Sequence, residues 1–187
     1  MTYNPQNLKI EINASLGTKY LDNIMSHYPK LDNIITCHNF YPQRYSGISY
    51  EHFEKCSQDI KDLNIKVAAF VSSQEEGTYG PWPVNEGLCT LEIHRDLPID
   101  VQARHLFATR VVDDVIIANA YASEEELSTL SKIDPGKLTF KIDFEADLHP
   151  TEEKILYEHP HFVRGDMSEY MARSTMPRVT YAKESVP

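Results

Sequence analysis

The pattern that most limits this fold is a fourfold alternation of short apolar runs with longer amphipathic ones. Residues 8–14 (LKIEINA), 33–37 (NIITC), 66–71 (KVAAFV) and 115–118 (VIIA) read as strands, short and rich in β-branched side chains. Helical stretches follow each of them. Residues 18–28 place Tyr20, Leu21, Ile24 and Met25 on one face, and residues 51–63 repeat Phe53, Cys56, Ile60 and Leu63 at helical spacing before Asn64 breaks the pattern. Residues 98–109 open on Pro98, which the first turn accepts. Ser123 caps a fourth helix over Glu124, Glu125 and Glu126, whose charges suit a helix N-terminus, and Pro135 and Gly136 close that unit. Four strand–helix units in succession predict an α/β fold with a parallel sheet and right-handed crossovers.

In such sheets, sites are built along the carboxyl edge of the strands. Asn13 and Ser15, then His38, Asn39 and Tyr41, then Ser72 onward, then Asn119 and Tyr121 all follow directly on strands. No GxGxxG or GxxxxGKS motif follows any strand, so no nucleotide cofactor is expected. Beyond Gly136 the character changes. Residues 138–144 (LTFKIDF) alternate apolar and polar side chains, which predicts a half-exposed antiparallel strand, and residues 152–157 suit a helical turn. A boundary near residues 133–136 divides the chain into 1–135 and 136–187. The second part is too short to close a core of its own.

Charge and cysteine content exclude several classes. With 28 acidic against 18 basic residues the net charge is −10, which repels phosphate backbones and argues against nucleic-acid binding. Cys37, Cys56 and Cys89 are odd in number and far apart, suggesting neither a disulfide framework nor a zinc site, and they fit a reducing cytoplasm. The N-terminus has no secretory apolar segment, and no run is long enough to span a bilayer.

The stretch from Tyr79 to Arg95 (YGPWPVNEGLCTLEIHR) is the natural place for a site. Gly80, Pro81, Pro83 and Gly87 forbid regular structure, yet it carries the only tryptophan, Trp82, and the polar set Glu86, Thr90, Glu92, His94 and Arg95. Long irregular connections are usually functional or disordered, and the apolar Leu88, Leu91 and Ile93 favour an ordered loop. Glu86 and Glu92 flank its centre, and glycoside hydrolysis needs two carboxyl groups facing one bond. Glu92, His94 and Arg95 read as a hydrogen-bonded support network, because the spacing of zinc ligands is absent. The HNFYP turn offers Asn39 as donor and acceptor and Tyr41 as a stacking face. His38 there reads equally well as a histidine satisfied internally. His159 and His161 form an HxH without a third ligand nearby. In the tail, Arg164, Arg173 and Arg178 with Ser174 and Thr175 suit either a phosphate or an inter-domain salt-bridge network.

Five segments in order, KIEINAS, CHNFYPQRYSGIS, NEGLCTLEIHR, DDVIIANAYASEEEL and RGDMSEYMARSTMPR, resemble bacterial proteins once labelled outer surface protein and now associated with 6-phospho-N-acetylmuramidase activity. The resemblance covers nearly the whole chain. It implies a (β/α)8 barrel followed by a cyclophilin-like β domain, of which this chain would hold the second half of the barrel and the start of the β domain. It also implies a cytoplasmic glycosidase that cleaves N-acetylmuramic acid 6-phosphate–N-acetylglucosamine during cell-wall recycling. On that basis Glu86 is the expected catalytic carboxylate and Asn39 and Tyr41 the sugar contacts. Asn13 and Asn119 would orient hydroxyls, Glu92, His94 and Arg95 would line the site, and Arg173 or Arg178 would face the phosphate. Cys89 stands where the family usually has Pro, and Ala118 where Gly is common. With no first half-barrel, the chain alone is expected to be inactive, to self-associate through open sheet edges, or to pair with a separately encoded half. The alternative is a non-catalytic sugar-phosphate binding remnant.

Overall fold

The computed structural model describes residues 4–17, 19–84, 86–140, 142–144, 146–159, 161–166, 168–171 and 173–184. The chain divides into two compact units, Met1–Thr139 and Phe140–Pro187.

The first unit is α/β. Strands β1 (Ile10–Asn13), β2 (Ile34–Cys37), β3 (Val67–Val71) and β4 (Asp114–Ile117) form one sheet in sequential order with every neighbouring pair parallel. Helices α1 (Lys19–Met25), α2 (Tyr50–Lys61), α3 (Ile99–Ala108) and α4 (Glu124–Ser131) follow the strands in turn, α1 and α3 ending inside their predicted spans and α2 starting one residue before and ending two residues short of its own. Thr18, expected to open α1, lies outside the described residues. The ends obey local chemistry. Ser49 caps α2, accepting the His52 N–H, and Asn64 closes it at φ +57°, a left-handed conformation asparagine tolerates. Ser123 and Glu126 form the capping box of α4.

Strand register divides the sheet into two faces. Ile12, Ile34, Val67, Ala69 and Val71 are buried, and pack with Phe53 and Ile60 of α2 and with Ile99, Ala103 and Leu106 of α3. At about 25 cal/mol per Å² of apolar area removed from water, this face dominates the unit's stability. By the same register, Glu11, Asn13, Ile35, Cys37, Ala68, Phe70, Asp114 and Ile116 lie on the opposite face. There Ile35, Ala68 and Phe70 are only half buried, and Ile116 is 38% exposed.

The second unit is smaller. Helix α5 (Pro150–Tyr157) is longer than the predicted turn because His149 and Glu152 make a capping box and Pro150 fits the first turn. The antiparallel bridges Val163↔Ser174 and Ser168↔Met171 join described residues of this unit, and a short helix α6 (Pro177–Thr180) follows. The predicted strand at 138–144 differs: its described residues carry neither strand nor helix, and Lys141 lies outside them. Leu138, Phe140, Ile142 and Phe144 are 45–66% exposed. An alternating pattern becomes a strand only when a neighbour completes the hydrogen-bond ladder, and the pattern itself supplies none.

Candidate functional site

The loop after β3 leaves the carboxyl edge, carries Tyr79 and Trp82 outward, and then returns. On the way back, residues 88–91 wedge between the ends of β2 and β3. The Thr90 N–H donates to Phe70 O (3.1 Å), the Phe70 N–H donates to Thr90 Oγ1 (2.9 Å), and the Thr90 hydroxyl donates to Asn39 O (2.9 Å). The Tyr41 N–H reaches Cys89 O and the Ile48 N–H reaches Thr90 O. Leu88, Cys89, Thr90 and Leu91 have no exposed surface at all, and burial pushes the Cys89 thiol up to about 11. Gln102 anchors the wedge from α3: its amide accepts from the Ser72 N–H and donates to the Ser72 and Leu97 carbonyls, while Ser72 Oγ accepts the Leu88 N–H. Sequence reasoning missed Gln102. The available signal was a polar side chain in the packing face of α3 between Ile99 and Leu106.

Glu92 and Arg95 tie this loop to the one after β2. Each Glu92 oxygen takes two donors: Oε1 from Arg95 Nε and the Tyr45 N–H (2.7 Å each), Oε2 from the Arg95 guanidinium (2.6 Å) and the Gly47 N–H (2.7 Å). The Arg95 guanidinium holds the Glu92 carboxyl down at about 2, the two amides adding to it against the cost of burial. The third guanidinium nitrogen, Arg95 Nη1, donates to the carbonyls of Tyr41 (3.0 Å), Glu86 (3.0 Å) and Gly87 (3.2 Å). His94 is fully buried, with Nε2 2.7 Å from His105 Nδ1, and desolvation together with His105 pushes it down to about 3. Glu92, His94 and Arg95 thus make their contacts with the protein itself.

The other sequence-predicted residues divide into three groups. Asn13 and Asn119 join strand ends. Asn13 Oδ1 accepts the Ser15 N–H (2.7 Å), and Ser15 Oγ in turn accepts the Asn39 N–H. Asn119 pairs with both backbone groups of Ser73, at 2.8 and 3.1 Å. Beneath them His38 is buried between Ser15 Oγ and Ser57 Oγ, and desolvation pushes it down to about 4, so it is satisfied internally. Asn39, Tyr41 and Glu86 face outward from the same loop pair. The Asn39 side chain is exposed and the Tyr41 ring half buried. Glu86 is exposed. Its N–H donates to Pro42 O and its Oε2 accepts the Arg44 N–H (2.9 Å), while Oε1 takes no hydrogen bond among the described residues. Arg44 itself forms a two-pronged pair with Asp96, at 2.7 and 2.9 Å, and that pairing holds the Asp96 carboxyl down. Arg173 and Arg178 belong to the second unit. Arg173 is engaged by Asp166, which Arg164 also clasps, and Arg178 is exposed without an ion pair among the described residues. Of His159 and His161, the first meets the Tyr181 hydroxyl and the second the Leu156 carbonyl. Among the described residues no cluster of three or more His, Cys, Asp or Glu is arranged to hold a metal.

Against known families, residues 1–132 match "6-phospho-N-acetylmuramidase, N-terminal" and residues 138–187 match "6-phospho-N-acetylmuramidase, C-terminal". The chain belongs to the 6-phospho-N-acetylmuramidase family. Two solved structures are similar. The first, an uncharacterized protein of B. cereus, is 47% identical with a TM-score of 0.92, the match covering 100% of this chain and 53% of that one. The second, a conserved Enterococcus faecalis protein of unknown function, is 30% identical with a TM-score of 0.56, over 64% of this chain and 33% of that one. This chain therefore spans about half the length of the B. cereus relative. No curated protein matches. No helix among the described residues is long and apolar enough to cross a membrane.

Set against the family, the carboxyl edge has a definite chemistry. It presents the Glu86 carboxylate, whose Oε1 takes no hydrogen bond among the described residues, the exposed Asn39 and the half-buried Tyr41, over a hydrogen-bonded floor built by Arg95, Thr90 and Gln102. Of the two glutamates in this stretch, Glu92 takes four donors, whereas Glu86 takes one on Oε2 and none on Oε1 among the described residues.

Proposed function

We propose that this chain carries half of a site for N-acetylmuramic acid 6-phosphate–N-acetylglucosamine, the four β/α units being the second half of a (β/α)8 barrel. The family match supports the substrate class, and the exposed Glu86 carboxylate, whose Oε1 takes no hydrogen bond among the described residues, on a loop joined through Arg95 to the Tyr41 backbone is the observation that carries the reading. Glu86 serves as the acid–base or nucleophilic carboxylate, Asn39 hydrogen-bonds sugar hydroxyls, and Tyr41 offers its ring to a pyranose face. Asn13 and Asn119 act by setting the strand ends from which these groups project. The setting is the cytoplasm, in turnover of cell-wall fragments.

Glycosidases of the two-carboxylate kind need both groups held across one bond. Glu92, filled by four donors and ionised down to about pH 2, cannot be the second. We place the partner carboxylate on the half-barrel that would complete the site, so that the chain by itself binds the phosphosugar without turning it over. This is the non-catalytic reading applied to the chain alone. Incubating purified chain with the 6-phosphorylated disaccharide is expected to release no N-acetylglucosamine, and release by the chain alone would refute the assignment. Glu86→Gln in a longer family member is expected to lower turnover by about 10²-fold or more with the fold intact. Near-normal turnover removes Glu86 from the mechanism.

A further inference from the structure

The ion pair between Glu92 and Arg95 directs its hydrogen bonds among the described residues to the protein itself, Glu92 taking four donors and Arg95 reaching two carboxylate oxygens and three carbonyls, yet it lies at the carboxyl edge where ligand groups would be. Arg95 is 3% exposed and its contacts span three places in sequence: Glu92, the Glu86–Gly87 carbonyls, and the Tyr41 carbonyl in the loop after β2. Glu92 completes the circuit through the Tyr45 and Gly47 amides of that same loop. The backbone is shaped to admit it. A Cβ on Gly47 would stand 2.7 Å from Glu92 N and 2.7 Å from Glu92 Oε2, and Gly87, at φ +94°, passes close against the Arg95 stem. Glu86 itself is fastened from both sides, its carbonyl by Arg95 and its N–H by Pro42 O.

We infer that Glu92–Arg95 is a latch that sets the spacing of the two carboxyl-edge loops, and that Arg95 is a positioning residue for Glu86 and Tyr41. The inference rests on the reading of this edge as a phosphosugar site for what the latch serves, and on the hydrogen-bond circuit alone for its existence. A guanidinium is required because its planar fork reaches a carboxylate on one edge and three carbonyls on another. An ammonium at the end of a lysine is a point charge and cannot span both. Carbonyl acceptors left unpaired in a buried joint are costly, so losing the fork releases the loop rather than leaving it in place.

The test uses Arg95→Lys in the full chain, with Glu92→Gln as a second variant that keeps side-chain volume. The single tryptophan, Trp82, sits on the loop the latch holds and reports its motion. With far-UV circular dichroism unchanged, Arg95→Lys is expected to lower Trp82 fluorescence anisotropy and to weaken binding of N-acetylmuramic acid 6-phosphate about tenfold, the scale on which misplaced contact groups act. A role confined to stability would lower the melting temperature and leave anisotropy and affinity untouched, which overturns the latch. If the wild-type chain does not bind the phosphosugar, the site reading fails, while the anisotropy arm still decides the latch. Should neither variant fold, hydrogen exchange on the wild-type chain decides. The Tyr45, Gly47 and Glu86 amides are expected to open with one common protection factor, and unrelated factors would overturn the proposal.

Discussion

Single residues at this carboxyl edge matter mainly through what they would leave unpaired or make collide. At Gly47, any side chain meets backbone and carboxylate atoms of Glu92 at 2.7 Å, and neither neighbour can retreat without breaking the latch. Gly47→Ala is therefore expected to destabilise the first unit by about 1–3 kcal/mol. Urea unfolding would measure this, and an unchanged midpoint would show the loop yields more easily than its contacts suggest. His38 and His94 make a second prediction at this scale. Both are fully buried and both are pushed below their usual 6.5, to about 4 and about 3. Unfolded chains bind protons at these positions where the folded chain does not, so the stability they contribute is complete above pH 6.5 and is lost as pH falls toward 4 and then 3. Each adds a slope of about 1.4 kcal/mol per pH unit inside its window. Unfolding midpoints taken at pH 7, 6 and 5 should fall together, and a flat profile would mean the two rings are not buried neutral.

Among the elements, the wedge of residues 88–91 does what a regular strand would otherwise do. Its centre is Thr90, whose hydroxyl accepts from the Phe70 N–H and donates to the Asn39 carbonyl with no exposed surface. Thr90→Val keeps the shape and deletes both bonds, leaving a buried donor and acceptor unpaired. The expected cost is about 2–6 kcal/mol, from roughly 1–3 kcal/mol for each of the two orphaned groups. Chemical denaturation would measure that loss, and amide exchange at Phe70 should accelerate with it. A neutral substitution would mean water replaces the hydroxyl, and the wedge is less tightly closed than it looks.

For the molecule as a whole, the first unit presents a sheet with helices packed on one face, and among the described residues β1 and β4 each pair on one side only. On its other face Ile35, Ala68, Phe70 and Ile116 retain exposed apolar surface. Unpaired parallel edges and an open apolar face favour association with another chain. Multi-angle light scattering on the purified chain is expected to show dimers or larger species that dissociate on dilution. A monodisperse, cooperatively melting monomer would count against it.

What the sequence alone determined is the local and periodic part. Alternating apolar runs and helical spacing placed four strands and four helices in order, because period and capping are properties of neighbouring residues. The ordered motifs placed the chain in its family, and the polar residues after each strand pointed to the carboxyl edge as the candidate site. The division of labour inside that edge needed the tertiary structure. Glu86 and Glu92 are chemically alike and six positions apart in sequence. Only the arrival of Arg95 and of the Tyr45 and Gly47 amides, from a loop more than forty residues earlier, fills one carboxylate and leaves the other an open oxygen. The segment 138–144 shows the same limit from the other side: its alternation is plain in the chain, but a strand is a relation between two segments, and its described residues have no ladder.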